Sequence, residues 1–234
     1  MVKHTTATNQ RLASLSRFIQ ILDGTFPSGI FVHSFGLEPH IIKWIVKDIT
    51  TLKLYLNNLI LDQYMRLEFV IIKKVYENLQ DKKVNKIYSM DNKYSSLMTY
   101  EYSKASTNIG FNYYTQIKNH ISKSAVQNYF ESIENKKSDG NEIVVLSSYA
   151  FDLDICMEDF IVMWCKKNLI NISATALKIS RIKPSEIQKM LFEIDEILEE
   201  FDYKNIKNKI TNFNPLFEEI IFAHKNLEPK MFTT

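Results

Sequence analysis

The stretch Pro184-Ser-Glu-Ile-Gln-Lys-Met-Leu-Phe-Glu-Ile-Asp-Glu-Ile-Leu-Glu-Glu-Phe201 decides the fold class. Ile187, Met190, Leu191, Ile194, Ile197, Leu198 and Phe201 recur at steps of one, three or four, and Glu193, Glu196, Glu199 and Glu200 mostly take the other side. That is the period of a helix with one apolar stripe; a half-buried strand would alternate every second residue. Pro184 opens the helix at its first position, where a missing N–H costs nothing.

The same period recurs along the chain. Leu12, Leu15, Phe18, Ile19 and Leu22 predict a helix starting near Asn9, with Gly24 just past its end. Thr50 or Thr51 is placed to cap a long helix carrying Leu56, Leu59, Ile60, Tyr64, Leu67, Ile71 and Val75. Residues 81–92 are polar and lysine-rich and read as a loop or a short helix. Helices are expected over 94–120 and 122–134, with a turn at 135–141 around Asp139-Gly140. Residues 143–151 read as an apolar helix or a buried strand. Asp152 or Asp154 then caps a helix whose inner face takes Met157, Phe160, Ile161 and Trp164. A last helix is expected over 214–225. The expected fold is all-α: a single-domain bundle of about eight to ten helices, with a mobile segment at 1–8, the helical domain at 9–225 and a tail at 226–234.

Composition agrees. The 234 residues are 45% hydrophobic and include only 5 glycines and 5 prolines, few for a fold built on tight turns. Three of those ten, Pro27, Gly29 and Gly36, fall within residues 25–36, so backbone irregularity is concentrated there. With 29 basic and 27 acidic residues the net charge is +2, and Arg11, Arg17, Arg66 and Arg181 are the only arginines. Neither nucleic acid nor a membrane is favoured as a partner by that balance. No apolar run approaches the ~20 residues of a membrane span, and no secretory signal is read, so a cytoplasmic protein is expected. Cys156 and Cys165, on one helix, would lie on opposite faces about 13 Å apart and read as free thiols.

Chemistry-bearing motifs are scarce. No glycine precedes a Lys-Ser or Lys-Thr pair, and paired-cysteine and His-Glu-x-x-His patterns are missing. His33 and His40 flank the irregular stretch, where a structural hydrogen bond to the backbone outweighs metal ligation. Tyr94, Tyr100, Tyr102, Tyr113 and Tyr114 crowd one expected helix and suggest a partner interface. No catalytic and no metal-ligating residue is assigned. The rival readings are a hydrolase using His33, Ser34 and Glu38, and a generic helical adaptor.

Residues 18–38 read Phe18-Ile-Gln-Ile-Leu-Asp-Gly-Thr-Phe-Pro-Ser-Gly-Ile-Phe-Val-His-Ser-Phe-Gly-Leu-Glu38. The run resembles the N-terminal signature of the urease accessory protein UreF family, carried here by Asp23, Pro27, Gly29, His33, Ser34, Phe35, Gly36, Leu37 and Glu38. Weaker likenesses continue downstream. Glu101 and Gly110 fit a Glu-x-Arg…Gly helix in which Ser103 replaces the arginine. Arg181 and Pro184 fit an Arg-x-x-Pro element that here lacks its Gly-Gln. His224 and Phe232 fit a tail in which Lys225 and Lys230 replace glutamate and arginine.

The resemblance implies a non-enzymatic, all-α homodimer that works in urease maturation. It implies binding to a UreD/UreH-type accessory protein, recruitment of a UreG-type GTPase, and nickel insertion into apo-urease. Nickel is then handled by the assembled complex, with no cofactor held stably by this chain. Partner contacts are expected at His33, Ser34, Phe35, Gly36, Leu37, Glu38, His224, Lys230 and Phe232. Asp23, Pro27, Gly29, Gly110, Arg181 and Pro184 are expected to shape the backbone. The tail from Asn226 is expected to order against a partner.

Overall fold

A computed structural model describes the backbone of residues 2–7 and the whole of 8–29, 34, 36–211 and 231. Among these residues the structure is helical throughout, without a strand: α1 (Val2–Leu22), α2 (Leu37–Ile42), α3 (Ile49–Asn58), α4 (Glu68–Gln80), α5 (Val84–Ser96), α6 (Tyr100–Ile117), α7 (Ser124–Glu134), α8 (Glu142–Asp152), α9 (Met157–Ile179) and α10 (Pro184–Glu199). A π-helical segment, Leu59–Tyr64, follows α3. The expected helix over 214–225 lies outside the described residues.

The described residues gather into two compact units. Those of the first fall within 1–29, 71–96 and 106–161, those of the second within 30–70, 97–105 and 162–234. The boundaries at 70/71, 105/106 and 161/162 fall in no glycine- or proline-rich stretch, so composition carries no sign of them.

In the first unit, α8 is buried almost all round: Ile143, Val144, Val145 and Leu146 are all at most 1% exposed. The strand alternative for this run is excluded. Ser147 and Ser148 donate their hydroxyls to the carbonyls of Ile143 (2.5 Å) and Val144 (2.8 Å), a bond that helical spacing provides. Around it, α7 packs on α5 and α8 through Val126, Tyr129, Phe130 and Ile133. Phe18 of α1 meets Phe160 edge-on at 5.7 Å. Helix α1 begins at Val2 rather than Asn9, since a nucleated helix gains one hydrogen bond per added residue.

In the second unit, α10 presents Ile187, Met190, Leu191, Ile194 and Leu198 to the core and packs against α3. Lys53 Nζ meets Glu193 Oε2 at 2.5 Å across that contact, and Lys166 Nζ of α9 meets Asp195 Oδ1 at 2.6 Å. Trp164 lies edge-on to Tyr64 at 4.9 Å.

Several expectations need correction. Asp48, not Thr50 or Thr51, caps α3: it accepts from Thr51 N (2.8 Å), while the Thr51 hydroxyl takes the Asp48 N–H (3.0 Å). The long helix expected from there is interrupted by the π segment and a turn at 65–67, yet its whole stripe from Leu56 to Val75 is buried. Residues 84–96 form a full helix because Val84, Ile87, Met90 and Tyr94 supply an apolar stripe among the lysines. Tyr94 therefore sits on α5, and with Tyr113 and Tyr114 it belongs to the core; Tyr100 alone of the five is exposed, at 72%. Neither Asp152 nor Asp154 caps α9. Cys156 does, its sulfur accepting from Asp159 N at 3.4 Å, while Asp152 accepts from Ser122 N and Lys123 N ahead of α7. Cys156 is exposed and Cys165 buried, both free thiols.

Candidate docking surface

In the second unit, α2 starts immediately after Gly36, whose φ of +83° is the left-handed region that glycine enters freely. The corner is held from inside. Leu37 N donates to Ser34 O at 3.0 Å, and His40 Nδ1 lies 2.6 Å from Gly36 O. A carbonyl can only accept, so Nδ1 carries a proton and donates it to Gly36 O. Its ring stands edge-on to Tyr55 at 4.8 Å. Burial holds its pKa below the usual 6.5. The Gly36 bond opposes that shift, and the nearby charge of Lys43 reinforces it.

Glu38, on the first turn of α2, is 1% exposed, and its Oε1 accepts a hydrogen bond from the backbone N–H of Met231 at 2.7 Å. The corner thus grips one residue of the C-terminal tail. Ser34, Gly36 and Leu37 are buried too. The exposed part of the corner comes one turn later, at Ile42, Trp44 and Ile45, with Trp44 78% exposed. His33, Phe35, His224, Lys230 and Phe232 lie outside the described residues.

Of the residues expected to shape the backbone, four stand in the first unit. Asp23 turns the chain after α1 by accepting from Thr25 N (2.8 Å) and from the Thr25 hydroxyl, bonds that lower its pKa. Pro27 is exposed. Gly29, at φ +78°, follows Ser28, whose carbonyl accepts from Asn112 Nδ2 at 2.9 Å. Phe26 stacks on Tyr113 at 5.2 Å. At Gly110 an added Cβ would lie 2.0 Å from the Gly140 carbonyl oxygen and 2.7 Å from Glu142 N. In the second unit Arg181 is exposed, and Pro184 occupies the first turn of α10 as expected.

A hub that sequence reasoning missed is Asp91, fully buried on α5. Its carboxylate accepts from Tyr129 OH (2.9 Å), Ser138 Oγ (2.6 Å), Gly140 N (2.8 Å), Asn141 N (3.1 Å) and Asn141 Nδ2 (2.8 Å). Burial raises its pKa, and those donors pull the other way. The Asp139-Gly140 turn was the signal available: a tight turn presents backbone N–H groups that need an acceptor. A second missed feature is a set of exposed apolar side chains in the second unit. Ile170 and Leu177 of α9 are 46% and 38% exposed, and Phe192 of α10 is 73% exposed, with Lys166 Nζ 5.9 Å from its ring centre.

Burial pushes the Cys156 and Cys165 thiols up, away from the reactive thiolate. Among the described residues no group of three histidine, cysteine, aspartate or glutamate side chains is arranged to hold a metal ion. None of the described helices is long and apolar enough to cross a membrane.

Residues 46–195 match the UreF family model, most of the chain. The chain belongs to the UreF family. The match begins downstream of residues 18–38, so it is independent of the motif read there. Relatives of this UreF-family chain extend further. It is 25% identical over 207 residues to proteins named urease accessory protein UreF in two strains of Ureaplasma parvum serovar 3, covering 86% of this chain and 85% of theirs. It is also 25% identical over 227 residues to the urease accessory protein UreF of Bacillus sp. strain TB-90, covering 95% of this chain and 98% of that one.

Proposed function

We propose that this UreF-family chain is a non-catalytic, cytoplasmic scaffold in urease maturation. It stands between a UreD/UreH-type accessory protein and a UreG-type GTPase and supports nickel incorporation into apo-urease, with nickel handled by the assembled complex. The observation that carries this reading is the contact of Glu38 with Met231, which ties the signature corner to the tail. Partner contacts were expected at both places, and one carboxylate joins them. A partner that takes the tail must compete with that bond, which makes the corner a place where docking is registered.

The hydrolase reading loses support at the same residues. Ser34 is 0% exposed and Glu38 is engaged by a backbone N–H, so neither is presented to a substrate. The generic-adaptor reading is displaced by family membership. Homodimerisation is part of the proposal: Ala174 lies between Ile170 and Leu177 on one exposed stripe of α9, where a small residue lets a second copy approach closely.

Deleting the gene in its own urease-positive host tests the scaffold role. Nickel per urease active site and urease activity should fall together and return with the gene restored. Unchanged nickel loading would refute the reading. The purified chain should also co-purify with the UreD/UreH-type protein.

A further inference from the structure

We infer that the turn at 42–47 is a docking knob for a partner protein offering an apolar pocket rimmed by carboxylates. The inference rests on the scaffold reading and names the surface chemistry of one partner. The turn closes α2 as a Schellman motif: Ile45 N donates to His40 O (2.9 Å) and Trp44 N to Ile41 O (2.9 Å). Lys43 N and Val46 N are also bonded, to Pro39 O and His40 O, and Val46 is 1% exposed. The backbone is therefore fixed.

Within that motif Trp44 occupies the left-handed position, φ +59°. Glycine customarily sits there, and a bulky side chain is disfavoured. Trp44 gains no burial in exchange, since it is 78% exposed, between Ile42 at 48% and Ile45 at 46%. Stability does not explain a tryptophan at this position; presentation does. Tryptophan is among the residues that most often anchor an interface.

Charge specifies the partner. Lys43 and Lys47 flank the knob, both exposed. Asp48, beside Lys47, is hydrogen-bonded by Thr51, and those bonds and in part the Lys47 charge lower its pKa, while Glu38 is held by Met231. Both lysines are exposed beside the apolar side chains, Lys43 without an acid next to it in sequence, which suits carboxylates around an apolar pocket. Two lysines fall short of the roughly 4–8 basic residues by which a surface is held to anionic lipid, so a protein is favoured over a membrane.

Trp44→Gly separates the roles, because glycine relieves the backbone while removing the anchor. The full chain is mixed in turn with purified UreD/UreH-type protein, UreG-type GTPase, apo-urease and phosphatidylserine vesicles, and tryptophan emission and acrylamide quenching are read. The other tryptophan, Trp164, is 3% exposed, so the difference between wild type and variant isolates Trp44. Expected with one protein probe are a blue shift and protection of Trp44. Trp44→Gly should weaken that binding about ten-fold or more with a melting temperature equal to or above wild type. Lys43→Glu/Lys47→Glu should weaken it as well and flatten its salt dependence. If a probe binds wild type and Trp44→Gly alike, the knob is overturned and the scaffold reading stands. If no protein probe binds the wild-type chain, both fall. Protection of Trp44 only by vesicles, or by self-association at high concentration, overturns the knob in favour of a lipid surface or a second copy.

Discussion

Glu38 and Met231 stand 193 positions apart in sequence and are joined by one hydrogen bond, 2.7 Å from the Met231 N–H to Glu38 Oε1. A backbone donor to a buried charged acceptor contributes about 1.5–3 kcal/mol. That is strong enough to hold the tail residue and weak enough for a partner to displace.

Glu38→Ala should therefore release that residue. Hydrogen exchange at the Met231 amide is expected to quicken by about ten-fold or more, while Glu38→Gln, which retains an acceptor oxygen, stays close to wild type. Equal exchange in all three proteins would show that the bond does not hold the tail.

Gly110→Ala should destabilise the first unit by about 1–3 kcal/mol, the usual cost of overpacking. The atoms that its Cβ would meet at 2.0, 2.7 and 2.8 Å are backbone, which cannot swing aside as a side chain would. Denaturant titration measures it; an unchanged midpoint would mean that the 140–142 backbone yields freely.

Asp91→Ala removes the acceptor from Tyr129, Ser138, Gly140 and Asn141 at once. Each stranded donor costs about 1–3 kcal/mol where water cannot reach it. A loss of at least about 3 kcal/mol in unfolding free energy is expected, larger than for any single exposed acid. A loss below about 1 kcal/mol would indicate that water replaces the carboxylate.

His40 makes the corner acid-sensitive. Its folded-state pKa is lowered, chiefly by burial, so between the folded and unfolded values the unfolded chain binds more protons. Its contribution is full above about 6.5 and is lost as pH falls through the folded value. The imidazole NMR titration should have its midpoint below 6.5, and His40→Gln should flatten the loss of stability on acidification. A midpoint at or above 6.5 would contradict burial as the governing effect.

The exposed stripe of α9 gives the proposed dimer its test. Leu177→Glu places a charge between two apolar faces and should shift the light-scattering mass towards monomer, with helicity unchanged. A mass that does not move would put any dimer contact elsewhere.

The helices most legible in the sequence were those with a stripe and a punctuating residue. Pro184 and the spacing from Ile187 to Leu198 specify α10 by themselves. His40 was legible in kind, because an imidazole beside an irregular loop usually bonds its backbone. The π segment at Leu59–Tyr64 was not, because its apolar spacing is the same as that of an uninterrupted helix. Helix α5 was obscured by its lysines, which line the exposed face and dilute the stripe.

Taken alone, then, the sequence determined helical class, the buried stripes and the family, because these follow from spacing within a few turns or from fixed residue patterns. Only the tertiary structure decided that Gly110 lies against Gly140, that Asp91 collects the turn beyond α7, and that Glu38 holds Met231. Those contacts join residues dozens to nearly two hundred positions apart. Periodicity carries no information on which distant segment arrives, since that is fixed by how apolar faces pair and which buried polar groups find partners.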